Sequence, residues 1–168
     1  MNRRLFIVCP FANLEYLLKQ QFGNDSLFLS VPAGLVHASD NIFLDNLKAM
    51  VAVNCINEIY VVNEVSNPIV TSIINNEYKR DITCLNPVAD LKEEYWLEKF
   101  AGLSKYQQTL KMAELIVEQS MQLIRSVFTS THTSTILSVT VKGIVISKEA
   151  RFVKELKRMN RYKIAYGL

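Results

Sequence analysis

The sequence predicts an α/β domain built on a mostly parallel β-sheet that is flanked by helices. Short runs of continuously apolar residues alternate with segments of helical periodicity, which is the order expected when helices connect parallel strands. The chain has 168 residues, the length of one domain, and we assign residues 1–168 to that domain. Hydrophobic residues make up 49% of the chain and charged residues 21%, a balance typical of folded globular proteins.

The first half of the chain predicts three strands and two helices. Residues 5–9 are continuously apolar, as expected where helices cover both faces of a sheet, and residues 59–62 predict another buried strand. Residues 27–31 are predicted as the second strand. Asn13 can cap the first helix through its side chain, and Gly23 ends that helix. The second helix begins at Ser39, Asp40 or Asn41, because apolar residues then recur at three- and four-residue spacing.

The stretch from Asn67 onward predicts a further helix followed by less regular structure. Asn67 and Pro68 have the sequence of a helix start, because asparagine is a favoured N-cap and proline fits the first helical position. We expect this helix to run to about Glu77. Residues 81–85 are predicted as a short strand, and residues 86–103 as irregular or only partly helical.

The last third of the chain predicts the longest helix and a final strand. Ser104 opens the helix, whose apolar residues lie on one side as far as Phe128. A polar loop over residues 129–135 leads into residues 136–146, which are rich in β-branched residues and therefore predict a strand. We expect Gly143 to interrupt that strand.

The loops at the carboxyl ends of the strands are where a parallel sheet binds its ligands. Here these loops comprise residues 9–13, 31–38 and 63–67. A Cys9–His37 pair in this crevice could form a nucleophile and its base, but we favour a buried thiol and an unrelated loop histidine. Glu114 and Glu118 are interpreted as part of a solvated helix face and not as paired acid–base carboxylates.

The sequence carries no glycine-rich phosphate-binding motif and no G-x-S-x-G elbow. Its cysteines, Cys9, Cys55 and Cys84, form no C-x-x-C pair, so we expect reduced thiols in a cytoplasmic protein. Arg3 and Arg4 precede an apolar run that resembles a signal peptide, but the run has only about eight residues, and we favour a buried strand. No segment approaches the roughly 18 apolar residues of a membrane span.

The positive charge is concentrated near the C-terminal end. The net charge is +3, and residues 142–168 hold eight basic and two acidic residues. A basic tail can bind phosphate-rich polymers, but we favour a solvated face and expect no nucleic-acid partner. The cations of such a binding surface would be Arg151, Lys154, Lys157, Arg158, Arg161 and Lys163.

Three segments, in order along the chain, resemble the motifs of the β-class carbonic anhydrases. That family has a strand ending in C-x-D-S-R, a second ending in R-N-A-G and a third ending in G-H-x-x-C-G. The corresponding segments here are C-P-F-A-N at 9–13, V-P-A-G at 31–34 and N-E-V-S-N-P at 63–68. Residues 137–146 are similar to the family's closing strand, glycine and hairpin. The resemblance implies the family's fold, with a C-terminal antiparallel hairpin, and a homodimer.

The resemblance places zinc ligands at three positions, of which one has the expected residue type. Carried over, the ligands fall on Cys9, Glu64 and Asn67, where the family has Cys, His and Cys. Zinc prefers thiolate and imidazole; it accepts a carboxylate, but a neutral amide oxygen is a poor ligand. The family's Asp–Arg pair falls on Phe11 and Asn13. The chain therefore resembles a degenerate member that lacks most of the zinc ligands.

The remaining positions of the crevice lead to the same expectation. The arginine of the second motif falls on Val31, whereas Gly34 is retained. Without a bound metal nothing lowers the pKa of water from about 15.7 toward 7, so we expect no zinc, no catalytic residue and no hydration of carbon dioxide. What remains is a vestigial or ligand-binding crevice formed by Cys9, Phe11, Asn13, Val31, Gly34, Glu64 and Asn67.

Two functions are open besides the basic tail. We favour a pseudoenzyme, a dimeric and non-catalytic domain that binds a partner or a small anionic ligand. The alternative is an enzyme of altered chemistry on a small anionic substrate. In that enzyme Cys9 would act as nucleophile or metal ligand and Glu64 as general base, helped by amide N–H groups at the helix start after Asn67.

Overall fold

The computed structural model describes residues 3–79, 81–129 and 139–156, which form a five-stranded β-sheet with helices around it. The strands are β1 (Arg3–Val8), β2 (Leu27–Ser30), β3 (Ile56–Glu64), β4 (Thr140–Ser147) and β5 (Phe152–Leu156). They lie in the order β2-β1-β3-β4-β5. All neighbours pair in parallel except β4 and β5, which form an antiparallel hairpin. The predicted fold class is confirmed.

The described residues also form α-helices and short helical turns. The α-helices are α1 (Glu15–Phe22), α2 (Asn41–Val53), α3 (Pro68–Ile74), α4 (Asn86–Glu94) and α5 (Lys105–Thr129). Single 3₁₀ turns occupy Pro10–Ala12, Pro32–Gly34 and Thr83–Leu85, and a π-helical turn occupies Trp96–Phe100. Within the described ranges, no helix has the length and apolarity needed to cross a membrane.

The two faces of the sheet pack against different helices. Leu5 and Ile7 of β1 lie in one core cluster with α2 and α5, whereas Phe6 and Val8 lie in another with α1. All four side chains are at most 1% exposed. Side chains of a strand alternate between the faces, so a strand covered on both must be apolar throughout. This explains why the continuous apolar run predicts the strand correctly.

The start of α1 differs from the prediction. Asn13 does not cap the helix, because its backbone is left-handed (φ 50°) and it closes the preceding 3₁₀ turn. Leu14 takes the N-cap position without a side-chain hydrogen bond. The predicted end is confirmed, since the N–H of Gly23 donates to the carbonyl of Lys19 at 2.9 Å. Asp40 is confirmed as the cap of α2, accepting from the N–H of Phe43 at 3.0 Å.

The end of α3 comes three residues before the predicted Glu77. The ammonium of Lys92 donates to the carbonyl of Ile73, and that of Lys105 donates to the carbonyl of Ile74, both at 2.9 Å. Carbonyls at the C-terminal end of a helix lack intrahelical partners, and cations stabilise them. The helix ends where Asn76 turns the chain with a left-handed φ of 59°, and the N–H of Glu77 then donates to the carbonyl of Ser72 at 2.9 Å. The two lysines, distant in sequence, add hydrogen bonds to the carbonyls at this end.

The segment after α3 is more helical than predicted. The expected strand at 81–85 is wrong: these residues are mostly exposed and contain the 3₁₀ turn Thr83–Leu85. The segment 86–103, predicted as irregular or partly helical, is helical over α4 and the π turn. Pro87 fixes a helical φ in the first turn of α4. The side chains of Val88 and Ala89 are buried, so the helix packs against the core.

The strand β4 runs without a break through Gly143, so the predicted interruption is wrong. Gly143 pairs with Val61 in the middle of the parallel ladder. Its role is close approach, because a Cβ atom there would lie 2.5 Å from both Met121 Sδ and Val117 Cγ1 of α5. The glycine lets the long helix contact the backbone of the strand. The loop predicted over 129–135 and the strand start at 136–138 fall almost wholly outside the described residues.

Glu114 is buried, which corrects its assignment to a solvated face. Its side chain is 9% exposed and its carboxylate accepts from Lys154 of β5 at 2.6 Å and Lys111 at 3.2 Å. The ion pair between Glu114 and Lys154 joins the hairpin to α5. Lys154, one of the cations of the predicted basic tail, is therefore paired within the protein. The tail residues Lys157, Arg158, Arg161 and Lys163 lie outside the described residues.

A cluster of charges connects β1, β3 and β4. Glu58 accepts from Arg4 Nε at 3.0 Å and from Lys142 Nζ at 2.7 Å, and its side chain is 16% exposed. Lys142 also donates to the hydroxyl of Tyr60 at 3.2 Å. The hydrogen bond from Lys142 lowers the pKa of Glu58, and the bond to Glu58 in turn raises the pKa of Lys142.

Replacing Glu58 with Gln is expected to lower the free energy of unfolding at neutral pH by about 1 kcal/mol. The loss is modest because the side chains of Arg4 and Lys142 are 31% and 32% exposed, so solvent weakens both ion pairs. A carboxyl whose pKa falls on folding stabilises the protein above its unfolded pKa, and that contribution disappears as the pH drops through the folded pKa. Urea unfolding at about pH 7 and about pH 3 measures the difference from wild type, which should shrink in acid. Glu149→Gln, at an exposed carboxylate, is the control. A difference independent of pH would contradict the prediction.

Candidate functional site

The loops at the carboxyl ends of β1, β2 and β3 meet, as the sequence predicts. Cys9 directly follows β1, the turn Pro32–Gly34 follows β2, and Asn67 follows β3 as the cap of α3. Main-chain bonds join the first two loops, with the N–H of Val31 donating to the carbonyl of Val8 at 2.9 Å. The crevice therefore has a floor made of three strand ends.

Cys9 and Asn67 are in direct contact at this floor. The thiol of Cys9 lies 3.6 Å from Asn67 Oδ1, which also accepts from the N–H of Ile69 at 3.0 Å. The N–H of Ile69 requires an acceptor and so fixes the orientation of the amide, leaving Oδ1 toward the sulfur. Cys9 is 1% exposed and Asn67 is fully buried. The Cys9 thiol is therefore the donor of this buried hydrogen bond.

Asn63 completes the arrangement, and the sequence analysis did not identify it. Its Nδ2 donates to the carbonyl of Ala33 at 2.8 Å, and its Oδ1 accepts from Asn67 Nδ2 and from the N–H of Glu64, both at 2.9 Å. We call Cys9, Asn67, Asn63 and the Ala33 carbonyl the amide chain. The sequence did hold a signal, because Asn63 is an amide directly after the apolar strand residues 59–62. In the structure Asn63 is fully buried.

Glu64 is buried but turned toward the hairpin. Its carboxylate oxygen Oε1 accepts from the hydroxyl of Ser66 at 2.8 Å and from the N–H of Lys148 at 3.5 Å. The ammonium of Lys148 in turn donates to the carbonyl of Ala12. Glu64 thus joins the end of β3 to the turn between β4 and β5, and these contacts place its carboxylate against the hairpin.

The other predicted crevice residues fall at different places. Phe11 is 60% exposed and lines a groove of about 790 Å³ whose other walls include Pro10, Pro32, Pro68 and Ile69. Asn13 is exposed and borders a smaller groove of about 430 Å³ that contains Cys9, Tyr16 and Lys19.

Val31 and Gly34 belong to the loop after β2. Val31 is half-buried, and its N–H is bonded to β1. Gly34 is buried with a φ of +75°, a left-handed conformation that favours glycine. Its carbonyl accepts from the hydroxyl of Ser120 at 3.2 Å, and that hydroxyl also accepts from the N–H of Val36 at 2.9 Å. This loop is therefore anchored to α5.

His37 does not pair with Cys9. The imidazole is exposed, and its Nδ1 lies 2.7 Å from the hydroxyl of Ser39. Cys9 is buried beside Asn67 instead. The favoured interpretation, a buried thiol and an unrelated loop histidine, agrees with this geometry.

At each of the three positions where the resemblance places zinc ligands, the side chain takes part in a hydrogen bond within the protein. The thiol of Cys9 donates to Asn67 Oδ1, this oxygen also caps α3, and Glu64 Oε1 accepts from the hairpin. Across the ranges 3–79, 81–129 and 139–156, no group of three or more His, Cys, Asp or Glu side chains is placed to hold a metal ion.

Comparisons with known proteins place the fold, although no family model and no curated protein matches the chain. The β-carbonic anhydrase CafA of the fungal pathogen Aspergillus fumigatus is similar with a TM-score of 0.78 and 16% identity, over 96% of this chain and 78% of that one. A tetrameric β-carbonic anhydrase of Sordaria macrospora is similar with a TM-score of 0.74 and 15% identity, over 94% and 81%. The Coccomyxa β-carbonic anhydrase in complex with acetazolamide gives 0.70 and 18%, over 94% and 72%.

The fold and the crevice together define an α/β protein whose loops meet at the carboxyl ends of parallel strands. More particularly, the fold is that of the β-carbonic anhydrases. At identities of 18% or lower for these three structures, the similarity establishes the fold, and function has to be argued from the site.

Proposed function

We propose that this protein is a non-catalytic relative of the β-carbonic anhydrases, acting as a binding domain for a partner or a small anionic ligand. The observation that carries the proposal is the contact between Cys9 and Asn67, with a sulfur–oxygen distance of 3.6 Å. Both side chains would be zinc ligands by position, yet they bond to each other. Because Cys9 and Asn67 are hydrogen-bonded to each other, we infer that this crevice does not use them to bind a metal.

The chemistry of the three ligand positions supports the loss of zinc. Zinc sites are built from thiolate, imidazole and carboxylate groups, and catalytic sites keep one position open for water. Here those positions carry a thiol that donates to Asn67, a buried amide, and a carboxylate bonded to the hairpin. The positions of the family's Asp–Arg pair carry Phe11 and Asn13, and both are exposed. These residues supply neither the carboxylate nor the guanidinium of that pair.

The alternative of an altered enzyme receives less support from the same contacts. A nucleophilic cysteine needs a thiolate and access to substrate, whereas Cys9 is 1% exposed and donates to Asn67. The N–H of Ile69 at the start of α3 is occupied by Asn67 Oδ1. Oε1 of Glu64 accepts from Ser66 and from the N–H of Lys148, so the protein itself already engages this oxygen.

The two grooves beside the amide chain are the surfaces on which we expect binding. The larger, lined by Phe11, three prolines and Ile69, suits an apolar contact, and we propose self-association as a homodimer. Oligomers occur among the structural neighbours, since the Sordaria macrospora enzymes are tetrameric. The smaller groove has both Lys19 and Glu15 in its lining, and we expect a small anion to bind beside Lys19. Reduced thiols at Cys9, Cys55 and Cys84 accord with a cytoplasmic protein.

Metal analysis and carbon dioxide hydration test the proposal together. Purified protein, incubated with zinc and then freed of excess metal, is expected to retain far less than one zinc per chain. It should accelerate hydration no more than an equal mass of albumin in a stopped-flow indicator assay. A zinc β-carbonic anhydrase treated in the same way is the positive control. Stoichiometric zinc together with robust hydration would overturn the proposal, and sedimentation velocity on the same sample tests the homodimer.

A further inference from the structure

We propose that the amide chain takes over the cross-linking that a bound metal would supply, and that Asn63 is the residue that commits the site to hydrogen bonds. This role of the amide chain does not depend on which ligand the domain binds. Asn63 has two effects: it stabilises the protein in the absence of metal, and it opposes metal binding even when good ligands are restored.

The amide chain spans the ends of three strands. It runs from Cys9 after β1 to Asn67 and Asn63 at the end of β3, and on to the Ala33 carbonyl after β2. The successive distances are 3.6 Å, 2.9 Å and 2.8 Å. A metal held by residues from separate loops would join those loops in the same sense, through bonds between side chains distant in sequence. Here Asn63 and Ala33 are thirty positions apart.

Burial gives these hydrogen bonds their weight. Asn63 and Asn67 are fully buried and Cys9 is 1% exposed. Removing one partner from a buried hydrogen bond leaves the other unsatisfied, which costs more than the bond itself contributes. Deleting the side chain of Asn63 would orphan three groups at once: the Ala33 carbonyl, the N–H of Glu64 and Nδ2 of Asn67.

Asn63 also sets the chemistry that position 67 can carry. Its amide is fixed, because Nδ2 must face the Ala33 carbonyl and Oδ1 therefore faces residue 67 at 2.9 Å. That oxygen is an acceptor and suits a donor such as the Asn67 amide. A cysteine sulfur at position 67 would face this fixed acceptor and would receive no hydrogen bond from Asn63. The Asn63 side chain also fills the space beside position 67 that a glycine at position 63 would leave open.

The stability of the metal-free protein tests the first effect. Chelator treatment is expected to leave the wild-type Tm unchanged, and added zinc should not raise it. Asn63→Ala should lower the Tm by roughly 5 °C or more, whereas Asn24→Ala, at an exposed amide, should leave it unchanged. Should the Asn63 variant fail to fold, hydrogen exchange on chelated wild type decides: the amide protons of Glu64 and Ile69 should be protected. Fast exchange of both, a small Tm change in the variant, or a zinc-dependent Tm of wild type would overturn the inference.

Metal titration tests the second effect. The comparison is between Glu64→His/Asn67→Cys and the same pair with Asn63→Gly added, which restores the glycine of the family motif. Cobalt is the probe, because its thiolate complexes absorb in the near ultraviolet and visible. The triple variant is expected to bind Co²⁺ roughly tenfold or more tightly than the double variant, as is typical for residues that orient metal ligands. Equal affinities, or tighter binding by the double variant, would overturn the role of Asn63.

Discussion

Gly143→Ala is expected to lower the free energy of unfolding by about 2–3 kcal/mol, although it adds a single methyl group. The added Cβ would lie 2.5 Å from Met121 Sδ and 2.5 Å from Val117 Cγ1, well inside van der Waals contact. The thioether of Met121 can move, but Val117 is β-branched and its side chain is stiff. Both residues are buried in α5, so relief requires the helix to retreat from β4. Urea unfolding at 25 °C measures the loss.

Two companion variants make the prediction for Gly143 specific. Thr140→Ala, at an exposed position of the same strand, should change stability by less than about 0.5 kcal/mol. Adding Met121→Ala to Gly143→Ala should recover part of the loss, because the two sites share one contact and their effects should not add. A Gly143→Ala protein as stable as wild type would show that α5 does not press on the strand as described.

Cys9 is expected to react with a maleimide roughly 1,000-fold or more slowly than Cys55 and Cys84 in the folded protein. Cys55 and Cys84 are exposed, whereas Cys9 is 1% exposed and its thiol donates a hydrogen bond to Asn67 Oδ1. Reagent reaches Cys9 only when the end of β1 opens, and opening of a core strand is rare. Timed labelling followed by peptide mass spectrometry gives the three rates separately.

Labelling in urea supplies the control for the cysteine experiment. In the unfolded chain the three thiols should react at similar rates, which shows that the protection of Cys9 comes from the fold. A Cys9 that reacts in the folded protein as fast as Cys55 would contradict the buried hydrogen bond. A faster reaction than both exposed cysteines would instead favour the altered enzyme with Cys9 as nucleophile.

The fold was predictable because burial on both faces leaves a local mark in the sequence. The run at residues 5–9 is apolar throughout, and the structure covers both of its faces. Asn67 and Pro68 begin α3 through a cap whose bond, from Ile69 to Asn67, spans two residues. The junction of the three loops followed from the parallel order of the strands. Features of this kind depend on neighbours in sequence or on the general geometry of sheets.

The features that the sequence did not predict depend on contacts between distant residues. Carbonyls at the end of α3 accept from Lys92 and Lys105, and the buried Glu114 is paired with Lys154 of another element. The role of Gly143 requires knowing that α5 crosses it. In the crevice, Asn63 is a further example, since the Ala33 carbonyl that it binds belongs to another loop. Local periodicity carries no information about such partners.

The contact of α5 with the backbone at Gly143 also limits how this domain can move. A hydrogen atom is the only spacer between helix and strand there, and sliding one past the other would drive Val117 into the neighbouring pleats of β4. This contact disfavours shear between α5 and β4, and we expect the helix and the strand to move together. We therefore expect the larger movements of this domain to occur in its loops, with α5 and β4 keeping their relative position.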